Sequence, residues 1–127
     1  GLTKHASSGT EHRGTFRGVV DKIPYLKELG ITTLELLPAV EFQEVMMPEH
    51  EEGNPYGSSE PTGRLNYWGY TKACMFAPKA SYADPGSNPV TEFQYMVREL
   101  HKAGLEVVLD FIFPGKKCRS LCWRNRG

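Results

Sequence analysis

Residues 26–38 read LKELGITTLELLP. Leu26 and Leu29 continue a spacing begun by Val19, Val20 and Ile23, the recurrence of one helical face. Gly30 stands where a helix C-terminal glycine belongs. Residues 31–37 are then β-branched and aliphatic until Pro38 stops them, which predicts a largely buried strand. Pro24 interrupts the helical run. It is predicted in the first turn of the helix proper, where its missing N–H is harmless. The same theme returns downstream. Phe93, Met96, Val97 and Leu100 form a second helical stripe. Thr91 with Gln94 fits a capping box at its start, and Gly104 closes it. LEVVLDFIF, residues 105–113, is the second buried strand, ended by Pro114. Helix, glycine and buried strand, twice over, predict an α/β fold with a parallel sheet. Periodicity leaves an open sheet and a closed barrel equally available.

The whole chain fits one domain at most: 127 residues, of which 39% are hydrophobic. Fifteen basic and fifteen acidic residues cancel, so nothing in the balance favours nucleic acid or an anionic membrane. No apolar run approaches the ~20 residues that span a bilayer. Position 1 is Gly, which predicts a processed chain or an internal piece of a longer one. Cys74, Cys118 and Cys122 are an odd set that argues against a secreted disulfide framework and for a reducing, cytoplasmic setting. Cys118 and Cys122 lack a second pair or a nearby His, so no metal and no cofactor are expected.

Between the two units the rhythm breaks. Residues 1–17 read as a polar loop. Residues 41–65 carry an acidic cluster (Glu49, Glu51, Glu52) among Gly, Pro and Ser, a loop long enough to be either functional or disordered. NYWGY, residues 66–70, follows at once. Its rings are read two ways: a core patch, or a platform for a ligand. Met75, Phe76 and Ala77 suggest a short extended piece, and residues 81–89 are turn chemistry. The tail, residues 114–127, is basic, without an acid and without a clean period. It is assigned separately from residues 1–113, as a truncation or an out-of-frame stretch.

Taken together, LKELGITTLELLP, NYWGY, the helix from Glu92 through Gly104, and Glu106-Val107-Val108-Leu109-Asp110 resemble the alpha-amylase superfamily of glycoside hydrolases. NYWGY resembles the aromatic stretch between the second and third barrel strands of its isoamylase-type glycogen debranching enzymes; branching enzymes and pullulanases share much of the pattern, and a non-catalytic glycan-binding fragment is the alternative reading. Gly14-Thr15-Phe16, followed by Gly18, fits the turn before that family's first barrel helix. The resemblance implies a partial (β/α)8 TIM barrel, roughly its first three strand–helix units. It implies hydrolysis of α-1,6 branch linkages in glycogen or a limit dextrin by a retaining mechanism, with an α-glucan as partner. The family's catalytic carboxylates lie on later strands, so none is assigned here. Where the family's third strand ends Asp-Val-Val-x-Asn-His, this chain has Asp110, then Pro114 and Gly115 in place of Asn and His. The structural calcium that the Asn helps to hold is therefore not expected.

The resemblance assigns roles to a few residues. Tyr67 matches the tyrosine that stacks on the sugar beside the cleaved bond, since an aromatic face packs against the axial C–H groups of glucose. Trp68 lines the same pocket or supports it. Asp110 is a structural acid on the active-site face. Tyr70 is expected to pack, Glu35 to form a buried ion pair, and His101 to lie on the surface.

Overall fold

A computed structural model describes residues 1–45, 65–70, 74–111 and 121–123, the last as backbone only. It contains the predicted pair of parallel strands. Strand β1 (Thr33–Leu36) and strand β4 (Glu106–Leu109) run side by side, with Leu34 opposite Val107 and Leu36 opposite Leu109. Between them in sequence lie an antiparallel pair, β2 (Val40–Glu41) and β3 (Cys74–Pro78), and a helix, α3 (Pro89–Lys102). Helices α1 (Phe16–Asp21) and α2 (Ile23–Glu28) precede β1. A third strand, β5 (Leu121–Trp123), pairs antiparallel with the other edge of β4. The tail shows no strand period in its sequence, and β5 therefore comes as an addition to that reading.

Helix α3 turns its apolar stripe onto the sheet. Met96 and Leu100 are fully buried and pack with Val107, Leu109, Leu105 and Phe16 in one core. Phe16 also meets the rings of Phe93 and Tyr82 edge-on, at 5.3 and 6.0 Å. The start of α3 differs from the predicted capping box. Asn88 is the cap: its Oδ1 accepts from the N–H groups of Val90 and Thr91 at 2.9 and 3.2 Å. Pro89 occupies the first helical position, so the helix gains an early start at no cost in hydrogen bonds.

Pro24 stands at the second position of α2, as its missing N–H requires. The apolar run that reads as one helix is nevertheless two, divided at Lys22. The 1–17 segment, read as a polar loop, packs inward in part. Thr3 and Thr10 are buried in it, and Thr15 caps α1 by accepting from the Gly18 N–H at 3.2 Å.

Strand β1 is not the buried strand its sequence predicts. Thr33 and Glu35 are exposed while Leu34 and Leu36 are half-buried, and Leu37 is 44% exposed. Side chains alternate across a strand, and the described residues cover one face only. Glu35 consequently faces outward and needs no buried ion partner. The reading of a long 41–65 loop with its Glu49–Glu52 cluster falls mostly on residues 46–64, outside the described residues; so do Pro114 and Gly115.

Candidate functional site

The aromatic stretch sits past the carboxyl ends of the parallel strands. Strand β1 feeds directly into β2, and residues 43–45 run on alongside 65–66. Val45 bridges Leu65. The Asn66 N–H donates to the Glu44 carbonyl at 2.7 Å, and the Asn66 side-chain amide donates to the Gln43 carbonyl at 3.2 Å. Asn66 Oδ1 in turn accepts from the Gly69 N–H at 3.0 Å, closing the turn that carries Tyr67 and Trp68. Gly69 has φ +74° and lies against Phe42; a Cβ there would sit 3.0 Å from the Phe42 ring. Only glycine satisfies both the left-handed backbone and that approach.

Neither Tyr67 nor Trp68 belongs to the core. They are 71% and 58% exposed, and they meet edge to face, with centroids 5.4 Å apart and planes at 88°. That arrangement suits two aromatic quadrupoles and leaves ring surface open. Tyr70 does more than pack: its hydroxyl donates to Oδ2 of Asp110, immediately beyond β4. The structure thus ties the aromatic stretch to Asp110, two features 40 residues apart.

Beneath this stretch lies a charged cluster that sequence reading missed. Lys79 is 4% exposed. Its Nζ lies 2.5 Å from Glu41 Oε1 and 3.1 Å from Glu44 Oε1, and it donates to the Phe42 carbonyl at 3.2 Å. It also stands over the Phe42 ring, 4.8 Å from the centroid. Burial would raise the Glu41 carboxyl, but the hydrogen bonds from Lys79 and the Ala80 N–H outweigh it and hold the group below its ordinary value. Glu44 is held low by hydrogen bonds from Ser81 and Lys79. Burial would lower the Lys79 ammonium, yet its bonds to the two glutamates raise it. No local pattern signals the cluster, because Lys79 follows β3 while its carboxylates lie at the end of β2 and just beyond it, nearly 40 residues earlier.

A pH dependence follows. Two carboxyls held low contribute stability that is present above their ordinary value of 4.5 and is lost as pH falls through their depressed values. A raised lysine contributes stability that is present below its ordinary value of 10.5 and is lost as pH climbs through its raised value. Urea midpoints are expected to hold level between those limits and to fall on the acid side. In Lys79→Met the acid fall should shrink, because the carboxyls have lost their cation. An unchanged acid limb in that variant would contradict the assignment.

Two other features stand apart from the aromatic pair. A groove of about 670 Å³ lies between α3, β3 and β4, walled by Phe76, Val97, His101 and Leu109 among others. His101 is half-buried rather than on the surface, and its Nε2 is enclosed without a hydrogen-bond partner among the described residues. Tyr67 and Trp68 are absent from the groove walls. At the opposite end of α3, buried Glu92 accepts from the Asp84 N–H at 2.7 Å and lies 3.4 Å from Arg17, a link between helices that serves packing. Among the described residues no cluster of three His, Cys, Asp or Glu side chains could hold a metal.

Comparison with known proteins covers most of the chain. The model of the alpha-amylase catalytic domain matches residues 3–116. Isoamylase SU1 of Zea mays, a chloroplastic protein, is 42% identical over 118 residues, which are 89% of this chain and 14% of that one. A glycogen operon protein GlgX homolog of Haemophilus influenzae is 43% identical over 103 residues, 80% of this chain and 14% of its own. Among solved structures, the product complex of SpuA, a multi-modular glycogen-degrading pneumococcal virulence factor, superposes with a TM-score of 0.59. It is 25% identical, over 84% of this chain and 11% of that one. The chain spans about a seventh of the length of the two sequence relatives.

Proposed function

Because this chain belongs to the alpha-amylase catalytic-domain family, we propose that residues 1–113 are the N-terminal part of a (β/α)8 barrel that hydrolyses α-1,6 branch linkages in glycogen or a related α-glucan. Strands β1 and β4 would be neighbouring barrel strands, with α3 as the crossover between them. Residues 114–127 would be assigned apart from the barrel, although their β5 lies on the other edge of β4. The reaction would retain configuration through a covalent glycosyl intermediate, using two carboxyl groups about 5 Å apart. Those groups would come from later strands; this chain would supply the wall of the substrate cleft. Its cysteine usage and the exposed thiol of Cys74 favour a reducing, cytoplasmic compartment. Among the described residues no helix is long and apolar enough to cross a membrane.

One observation carries this reading. Two exposed, mutually braced rings stand past the carboxyl ends of a parallel strand pair, bound through Tyr70 to Asp110 at the end of β4. That end of a parallel α/β sheet is where ligands bind. Tyr67 would stack on a glucose ring, with Trp68 as its edge-on support and second wall. Asp110 would position its neighbours and leave attack to other groups.

Binding to the purified 127-residue chain tests the proposal. Maltoheptaose is expected to bind, and Tyr67→Ala to weaken it by roughly tenfold or more, as for a central aromatic contact. No reducing sugar should be released from glycogen. Affinity that ignores Tyr67→Ala would remove the platform, and sustained release of sugar would show that the chain holds catalytic groups of its own.

A further inference from the structure

We infer that Lys79 is a positioning residue for the Tyr67–Trp68 pair, setting the two rings through the 41–44 segment; the inference rests on those rings being the sugar platform. The connection is continuous. A single buried ammonium gathers three acceptors from one short stretch: the carboxylates of Glu41 and Glu44 and the carbonyl of Phe42. Its own backbone N–H is fixed on the Ala39 carbonyl at 2.9 Å. Glu41 is held from a second side by the Ala80 N–H at 2.8 Å, and Glu44 by the Ser81 hydroxyl.

The segment so held is the one that shapes the aromatic turn. Its Gln43 and Glu44 carbonyls take the two Asn66 donors, and its Phe42 ring is the surface on which Gly69 rests. Tyr67 and Trp68 lie between these two anchors, at Asn66 and Gly69. Both rings are largely exposed, so core packing does not set their orientation; the anchors do. Lys79 itself touches neither ring of the platform. Removing it leaves Glu41 and Glu44 facing each other across an empty cation position, and like charges move such a segment apart. A contact surface that is no longer preorganised binds less well.

Lys79→Met keeps the bulk of the side chain and deletes its charge and donors. It is compared with the parent chain in a Trp123→Phe background, where Trp68 is the remaining tryptophan. Far-UV circular dichroism reports folding, Trp68 emission and acrylamide quenching report ring placement, and a maltoheptaose titration reports binding. The folded variant is expected to show shifted Trp68 emission, altered quenching and roughly tenfold weaker affinity. Glu44→Gln, which removes one half-exposed carboxylate, should move the same signals less and serves where Lys79→Met fails to fold. A lysine that only stabilises the fold would lower the denaturation midpoint and leave native emission and affinity as in the parent; that result overturns the inference. Tyr67→Ala separates the two claims. If it leaves affinity intact, the platform reading fails, while the Trp68 spectra of Lys79→Met still decide whether Lys79 positions the ring. If Tyr67→Ala abolishes binding and Lys79→Met changes neither spectra nor affinity, the platform stands and the inference falls.

Discussion

Gly18→Ala is expected to cost about 3 kcal/mol or more, at the upper end of what overpacking does. A Cβ built on Gly18 falls 2.1 Å from the His12 carbonyl oxygen and 3.1 Å from Thr3 Oγ1. The first distance is more than an ångström inside contact, and the obstacle is backbone, which has no rotamer to change. Nor is the carbonyl free to withdraw, because it accepts from the Thr15 hydroxyl at 2.9 Å. Thr3 is similarly occupied, accepting from the Gly14 N–H at 2.8 Å. One added methyl must therefore part α1 from the N-terminal segment that wraps it. The bond that caps α1, from the Gly18 N–H to Thr15, lies in the same contact. Limited proteolysis should then cleave before Phe16 at protease levels that spare the parent, and the urea midpoint should drop. A variant with parental midpoint and protease resistance would show that the segment does not dock on α1.

Leu100→Ala should cost a similar amount, within the 2–5 kcal/mol that buried leucine truncations span. Leu100 is fully buried where α3 meets the sheet, in the cluster that includes Val107 and Leu109. Alanine there forfeits the transfer energy of the lost carbons and leaves a void bounded by a helix on one side and paired strands on the other. Neither wall collapses easily. A domain of this size commands about 5–15 kcal/mol in all, and a sheet that the described residues cover on one face only is placed at the low end. Loss of most of the folded population at 37 °C, followed by circular dichroism, is the expected outcome. Val90→Ala is the internal comparison: Val90 is on the same helix but 46% exposed, so its effect should stay within about 0.5 kcal/mol. Equal effects of the two substitutions would mean that α3 does not present the Met96–Leu100 face to the core.

Much of the scaffold that these substitutions probe is legible in local pattern. The Phe93–Leu100 stripe forms the helix it predicts, and Gly104 ends it with φ +79°. The two strands pair in parallel. Pro24 sits where its missing N–H is tolerated. The helix, its glycine stop and the Pro24 position follow from interactions within a few residues, which spacing records directly; the parallel pairing joins residues 73 apart and follows instead from the repeated helix–strand order. Burial of β1 departs from its sequence pattern for a complementary reason. ITTLELL is apolar enough for a strand covered on both sides, but whether a second layer exists is decided by chain elsewhere. The helix cap lies three residues before the predicted Thr91 because Thr91 and Asn88 both suit a cap, and the adjoining Pro89 favours the earlier one.

The candidate site divides in the same way. Sequence alone determined that rings are concentrated at residues 66–70, between two helix–strand units, and that Asp110 closes a strand. Tertiary structure decided that Tyr67 and Trp68 stand open rather than in the core, that Tyr70 reaches Asp110, and that Lys79 lies buried between Glu41 and Glu44. Periodicity encodes which residues prefer to leave water, since that preference repeats with the local geometry of a helix or strand. Which charge meets which, and which ring is left uncovered, depends on segments some 40 residues apart being folded onto each other. No local spacing carries that information.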